Sequence, residues 1–210
     1  MHGRASGGVG MIGTMADYDP ATALIVVDVQ NDFADPAGSL SVARAGRILP
    51  RINDEVAQAR AAGATIIYTQ DWHPESTPHF AKDGGIWPVH CVADTWGAEL
   101  HPDLTVDGEI ILKGTNGEDG YSGFTMREPV SGTMIPTPLE AKLRERDVSR
   151  VVICGLATDY CVNATALDAR RLGFETKVLM NAVAAVNLQP GDDQRALTAM
   201  ADAGAELVGG

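Results

Sequence analysis

The side chains best suited to chemistry in this sequence are scattered along it, and one of them poses a choice. Cys161 stands in "GLATDYCVNA", between an apolar run and a stretch that reads as a helix. A free cysteine is most often an inert core residue. At the first turn of a helix, however, the macrodipole and the unpaired amides favour a thiolate, and the same amides can bind an oxyanion. Asp28 sits in "IVVDVQNDF", where an acid within an apolar strand is costly unless paired or hydrogen-bonded. Lys113 ends "EIILK" and is a candidate partner for it. The plainer alternatives are a structural carboxylate capping a loop for Asp28 and a strand-end lysine reaching solvent for Lys113. Together Cys161, Asp28 and Lys113 make a nucleophile, a base and a cation, the set that acyl transfer through a thioester requires. Cys154, inside "VVICG", reads as a core strand residue, and Cys91 as a packing residue.

A second set lies in "QDWHPESTPHF" and "WPVHC", which supply Asp71, His73, His79 and His90. Asp71 and His73 are two apart, so an extended backbone puts them on one face. One carboxylate with three imidazoles suits Zn²⁺, Fe²⁺ or Mn²⁺. The competing reading is that loop histidines are solvent-exposed and unrelated, and D-x-H alone is a weak signal.

These residues need a scaffold that brings them together, and the order of elements supplies one. Short β-branched apolar runs at 22–30, 64–70, 109–113, 150–157 and 175–180 read as buried strands, with a further strand at 205–209. Helical patterns fill 48–63, 137–147, 159–173 and 192–204. Gly63 and Gly173 suit the position just past a helix end, and Thr137, Pro138 and Glu140 make a capping box. Strands alternating with helices predict a three-layer α/β/α fold with a mainly parallel central sheet. In such sheets sites form at the carboxyl ends of strands, where Asp28, Asp71, Lys113 and the segment leading to Cys161 all fall. A structureless stretch as long as 71–108 inside a compact domain is usually functional or disordered, and its four histidines, His73, His79, His90 and His101, favour function.

Composition bounds the partners. The net charge of −12 argues against nucleic acid and anionic membrane, which both need a basic surface. Three cysteines are too few for a disulfide framework in 210 residues and fit a reducing compartment. The Gly-rich residues 1–20 read as a flexible tail with Met15 as an alternative start, and 21–210 as a single domain. With no secretory signal and no long apolar run, a cytoplasmic location is expected.

The motifs "IVVDVQNDF", "QDWHPESTPHF", "WPVHC", "KG…YSGF" and "GLATDYCV" resemble, in this order, those of nicotinamidase/pyrazinamidases among the isochorismatase-like cysteine hydrolases. The resemblance runs from about Ala23 to Val208. It implies a catalytic triad of Asp28, Lys113 and Cys161, and one divalent metal, zinc before iron or manganese, on Asp71, His73, His79 and His90. It further implies a cis peptide at Leu156–Ala157, an oxyanion hole from the amides of Ala157 and Cys161, and a ring pocket walled by Phe33, Trp87, Tyr121, Leu156 and Tyr160. The implied reaction is hydrolysis of nicotinamide, and of pyrazinamide, to the acid and ammonia in NAD salvage, by a monomer or homo-oligomer acting on a small molecule. Tyr160 departs from members with histidine there, and the segment 126–138 is longer than in compact members. Two other readings stay open: an amidase of the same superfamily acting on N-carbamoyl or ureido substrates, and a non-catalytic metal-binding or redox-sensing protein. A nucleotide-binding reading lacks support, since "QNDFADPAG" is not a Gly-rich phosphate loop.

Overall fold

Thr22–Val27 (β1) is buried at every residue, as expected of a strand covered on both faces. Its side chains alternate between two apolar layers: Leu24 and Val26 point into one, Ala23, Ile25 and Val27 into the other. The computed structural model describes residues 17–210. In it β1 lies centrally in a six-stranded parallel sheet with β2 (Thr65–Asp71), β3 (Glu109–Lys113), β6 (Arg150–Leu156), β7 (Glu175–Ala184) and β8 (Glu206–Val208), in the order β3-β2-β1-β6-β7-β8. The helix α2 (Ala45–Ala61) covers one face through Ile48, Leu49, Ile52 and Val56. Helices α3 (Leu139–Glu145), α4 (Asn163–Arg171) and α5 (Asp192–Asp202) cover the other through Leu139, Leu143, Ala166, Ala169, Ala196 and Met200. The three-layer α/β/α arrangement expected from the sequence is the one observed.

Chain order reverses beside β1: β2 and β3 build outward on one side, β6 to β8 on the other. The carboxyl ends of β1 and β6 therefore flank a crevice of the kind that holds ligands in such sheets. Gly155 lets these two strands approach there. Its φ is +110°, and a Cβ on it would overlap the Val27 carbonyl.

Several details differ from the sequence reading. Strand β1 stops at Val27, because Asp28 turns to φ 49°. Helix α2 begins at Ala45 and holds Pro50 inside it, at the cost of one backbone hydrogen bond. Thr137 does accept the Leu139 amide (3.2 Å), but Glu140 faces Arg144 (3.6 Å) rather than closing a capping box. The segment 126–138 contributes to an antiparallel hairpin of β4 (Thr125–Arg127) and β5 (Met134–Pro136). The helix expected at 159–173 opens as a π turn over Thr158–Val162 before α4. The short helix α1 (Asn31–Ala34) was not expected.

Residues 1–16, which include Met15, lie outside the described residues. Of the rest of the 1–20 segment, Tyr18 donates to the buried Glu55 (2.7 Å), and Asp19 accepts from the Ala21 amide and the Thr22 hydroxyl (2.9 Å each). Among the described residues no helix is long and apolar enough to cross a membrane.

The close approach at Gly155 has a direct test. Gly155→Ala is expected to cost at least about 2 kcal/mol, from the unfavourable φ and the overlap together, read as the urea-unfolding free energy; a loss below half that would show that the strands can separate there freely.

Candidate active site

The ends of four strands converge. In the β2–β3 pairing Asp71 and Lys113 are register partners, so both side chains leave the sheet at the same level. The Lys113 ammonium lies 2.7 Å from Asp28 Oδ2, 2.9 Å from Asp71 Oδ1 and 3.8 Å from the Cys161 sulfur. It also donates to the Tyr121 carbonyl at 3.2 Å. The Thr69 hydroxyl donates to the second oxygen of Asp28 at 2.6 Å. Lys113 and Asp28 are shut away from solvent, with side-chain exposures of 0% each. Such burial is tolerable only because the charges are paired and hydrogen-bonded.

Position also depends on supports the sequence reading did not single out. The Gln30 amide donates to the Asp71 carbonyl (2.7 Å), and its oxygen accepts the Asp71 amide (2.8 Å). Asp32 accepts the amides of Ser39 (3.0 Å) and Cys91 (2.7 Å), tying two loops beside the crevice. Gly114 follows Lys113 with φ +76°, and a Cβ there would stand 2.7 Å from His73 Nδ1.

The charges shape one another. Burial pushes the Asp28 carboxyl up, and Lys113 only partly offsets it. Burial also acts on Asp71, but Lys113 with His73 and His90 outweighs it, and Asp71 is held below the usual carboxylate range. The lysine rises well above its ordinary value because Asp28, Asp71 and Cys161 overcome its own burial. The Cys161 thiol is driven well up, first by burial, with Lys113 opposing and Asp28 adding to the rise. Burial thus works against the thiolate that a helix N-terminus favours. The two carboxylates are unequal, and Asp28 is the one with the higher proton affinity.

His73, His79 and His90 are buried, and each offers a ligand atom within 4.8 Å of the others. Asp71 Oδ2 is 3.9 Å from His73 Nε2, so Asp71 spans from the lysine to the imidazoles. His79 Nδ1 meets Asp119 Oδ1, and His90 Nδ1 meets the Pro88 carbonyl, both at 2.7 Å. His73 is 1% exposed, yet among the described residues neither ring nitrogen has a hydrogen-bond partner. Burial lowers its pKa to about 4, so it is a neutral imidazole at neutral pH. Unpartnered buried nitrogens on a neutral ring, facing two more imidazoles and a carboxylate, are the donor set that a divalent metal such as zinc takes. His101 lies apart, near Asp35 (3.8 Å).

One pocket joins both groups. Cys161, Ala157, Asp71, His79 and His90 line it, as do the aromatic Phe33, Trp87, Tyr121 and Tyr160. Trp87 Nε1 donates to the Tyr121 hydroxyl at 3.0 Å. Tyr160 stands edge-on to Trp87, with ring centroids 4.8 Å apart. Leu156, expected in the wall, does not line it: it is 1% exposed and packs in the core layer with Val152 and Cys154, where strand alternation sends it. Leu40, Val42 and Val186 complete the wall instead. The Leu156–Ala157 peptide is cis. The Ala157 carbonyl accepts from the amides of Tyr160 (3.1 Å) and Val162 (3.0 Å), bonds that straddle the Cys161 amide.

The charge balance predicts two unequal losses. Lys113→Met leaves two buried carboxylates unpaired and should cost about 3–5 kcal/mol, whereas Thr69→Val removes one hydrogen bond to Asp28 and should cost about 1.5–3 kcal/mol. Both are read by urea unfolding, and equal losses would contradict a central role for the lysine.

The isochorismatase domain model matches residues 22–209. The nicotinamidase of Escherichia coli (strain K12) is 35% identical over 206 residues, covering 90% of this chain and 94% of that protein. A crystal structure of the pyrazinamidase of Pyrococcus horikoshii in complex with zinc is 44% identical, with a TM-score of 0.79, over 90% of this chain and 99% of that one. The crystal structure of PnC1 from L. infantum in complex with nicotinate is 35% identical, with a TM-score of 0.82, over 92% and 95% of the two chains. With the domain model spanning nearly all of the described residues, the chain belongs to the isochorismatase-domain family.

Proposed function

We propose that the chain hydrolyses nicotinamide, and the similar carboxamide pyrazinamide, to the acid and ammonia through a thioester on Cys161. The observation that carries this reading is one aromatic pocket lined by the buried Cys161 thiol, which adjoins Lys113 and Asp28, and by His79 and His90, which cluster with the buried His73. The likeness to proteins named nicotinamidase and pyrazinamidase, and to a structure holding nicotinate, supports the substrate. The likeness to a zinc-bound pyrazinamidase supports zinc as the metal. Nicotinate formation fits a role in NAD salvage in the cytoplasm.

In this reading Phe33, Trp87, Tyr121 and Tyr160 enclose the ring and leave its carboxamide at Cys161. Asp28 takes the thiol proton, for which its raised proton affinity suits it. The sulfur attacks the carboxamide carbon, and the oxyanion rests on the amides of Ala157 and Cys161. Asp28 returns the proton to the leaving nitrogen, which departs as ammonia and leaves the thioester. Asp28 then takes a proton from water as its oxygen attacks the same carbon. The C–S bond breaks, the acid is released, and the proton returns to the sulfur. Lys113 keeps its proton throughout and offsets whichever of Asp28 and the sulfur is negative. Asp71, His73, His79 and His90 would hold a divalent metal, which would supply Lewis acidity toward the ring nitrogen.

Ammonia release from nicotinamide by the zinc-loaded protein tests this. Cys161→Ala should keep its zinc and its fold and lose more than about a thousandfold in turnover, and a chelator should abolish turnover until metal is restored. Near wild-type ammonia release by Cys161→Ala, or turnover of a ureido substrate with none of nicotinamide, would overturn the proposal.

A further inference from the structure

The three imidazoles are held in different ways. His90 is fixed from within its own loop: its Nδ1 lies 2.7 Å from the Pro88 carbonyl, which can only accept, so Nδ1 carries the proton. His73 has no hydrogen-bond partner on its ring among the described residues. The one side chain set against the Nδ1 of His79 comes from a distant segment. Asp119 Oδ1 sits 2.7 Å away, 40 residues along the chain.

Asp119 is itself held firmly. Its amide donates to the Arg127 carbonyl (2.9 Å), and its carbonyl accepts the Arg127 amide (2.5 Å), so it extends the β4–β5 hairpin by one antiparallel bridge. Its Oδ1 also accepts the Gly120 amide at 2.9 Å. The same short segment gives Lys113 the Tyr121 carbonyl and gives Trp87 the Tyr121 hydroxyl. One stretch, 119–121, thus touches the buried lysine, the pocket wall and one imidazole.

We infer that Asp119 is a positioning residue for the metal centre: its carboxylate accepts Nδ1–H of His79, which turns the lone pair of Nε2 toward His73 and His90. A carboxylate on the far nitrogen fixes both the tautomer and the tilt of the ring, and makes it a better donor. Asp119 acts through His79 and touches neither substrate nor the reacting atoms. Its side chain is 46% exposed, so its removal opens no buried cavity.

This inference rests on the proposed metal site but is tested without turnover. Zinc affinity is measured by chelator competition on metal-stripped protein, with the absorption spectrum of the Co²⁺-loaded form as a second readout. Asp119→Ala should bind zinc about 10–100-fold more weakly and shift the Co²⁺ spectrum, while the unfolding midpoint of the metal-free protein stays close to wild type. Asp119→Asn, which keeps an acceptor oxygen without the charge, should fall between the two. Wild-type zinc affinity in Asp119→Ala, or no recovery at all in Asp119→Asn, would overturn the assignment. Zinc weakening in Asp119→Ala alongside a wild-type protein inert toward nicotinamide would keep this inference and sink the proposed reaction.

Discussion

A single buried cation holds the site together. Lys113 stands between two buried carboxylates and beside a buried thiol, and it and Asp28 are shut away from solvent. Charges so placed stay ionised only if each is paired. The parallel sheet makes the pairing by register, setting Asp71 opposite Lys113, while the left-handed turn at Asp28 ends β1 beside them. One ammonium cannot serve two carboxylates equally. Asp71, which also faces His73 and His90, is held low, and Asp28 is left with the higher proton affinity. That inequality suits the two carboxylates to the separate tasks proposed for them, metal ligand and base.

The same arrangement explains why the thiol and two of the imidazoles, His79 and His90, open to one pocket. Asp71 belongs to both groups, with one oxygen toward the lysine and the other toward His73. Gln30 fixes the Asp71 backbone from β1's side of the crevice, and the 119–121 segment reaches the lysine and His79 from the other. The reversal of chain order beside β1 gives the sheet room for this crowding at its carboxyl edge.

Much of this was legible in the sequence because polar residues at the ends of apolar runs stand out. Asp28, Asp71 and Lys113 each close a β-branched run, and Cys161 follows another. The group of three imidazoles and a carboxylate was legible through D-x-H and its two later histidines. Asp119 was not: in "GTNGEDGYSGF" it is one of two adjacent acids, and only the hairpin bridge to Arg127 decides which one faces His79. Leu156 was misplaced because strand phase sends it into the core. The helix position of Cys161 was visible in sequence, whereas its depth of burial was not. The hairpin escaped because three-residue strands carry too little alternation to register.

The central claim is that the buried thiol of Cys161, served by Asp28 and balanced by Lys113, carries the acyl group. Acid-quenching a single turnover of nicotinamide and mapping the peptides by mass spectrometry tests it most directly. A nicotinoyl group on the peptide bearing Cys161, appearing with ammonia and decaying as nicotinate forms, is the result expected. A nicotinoyl group on any other residue, or nicotinate rising in step with ammonia with no adduct at any quench time, would contradict it.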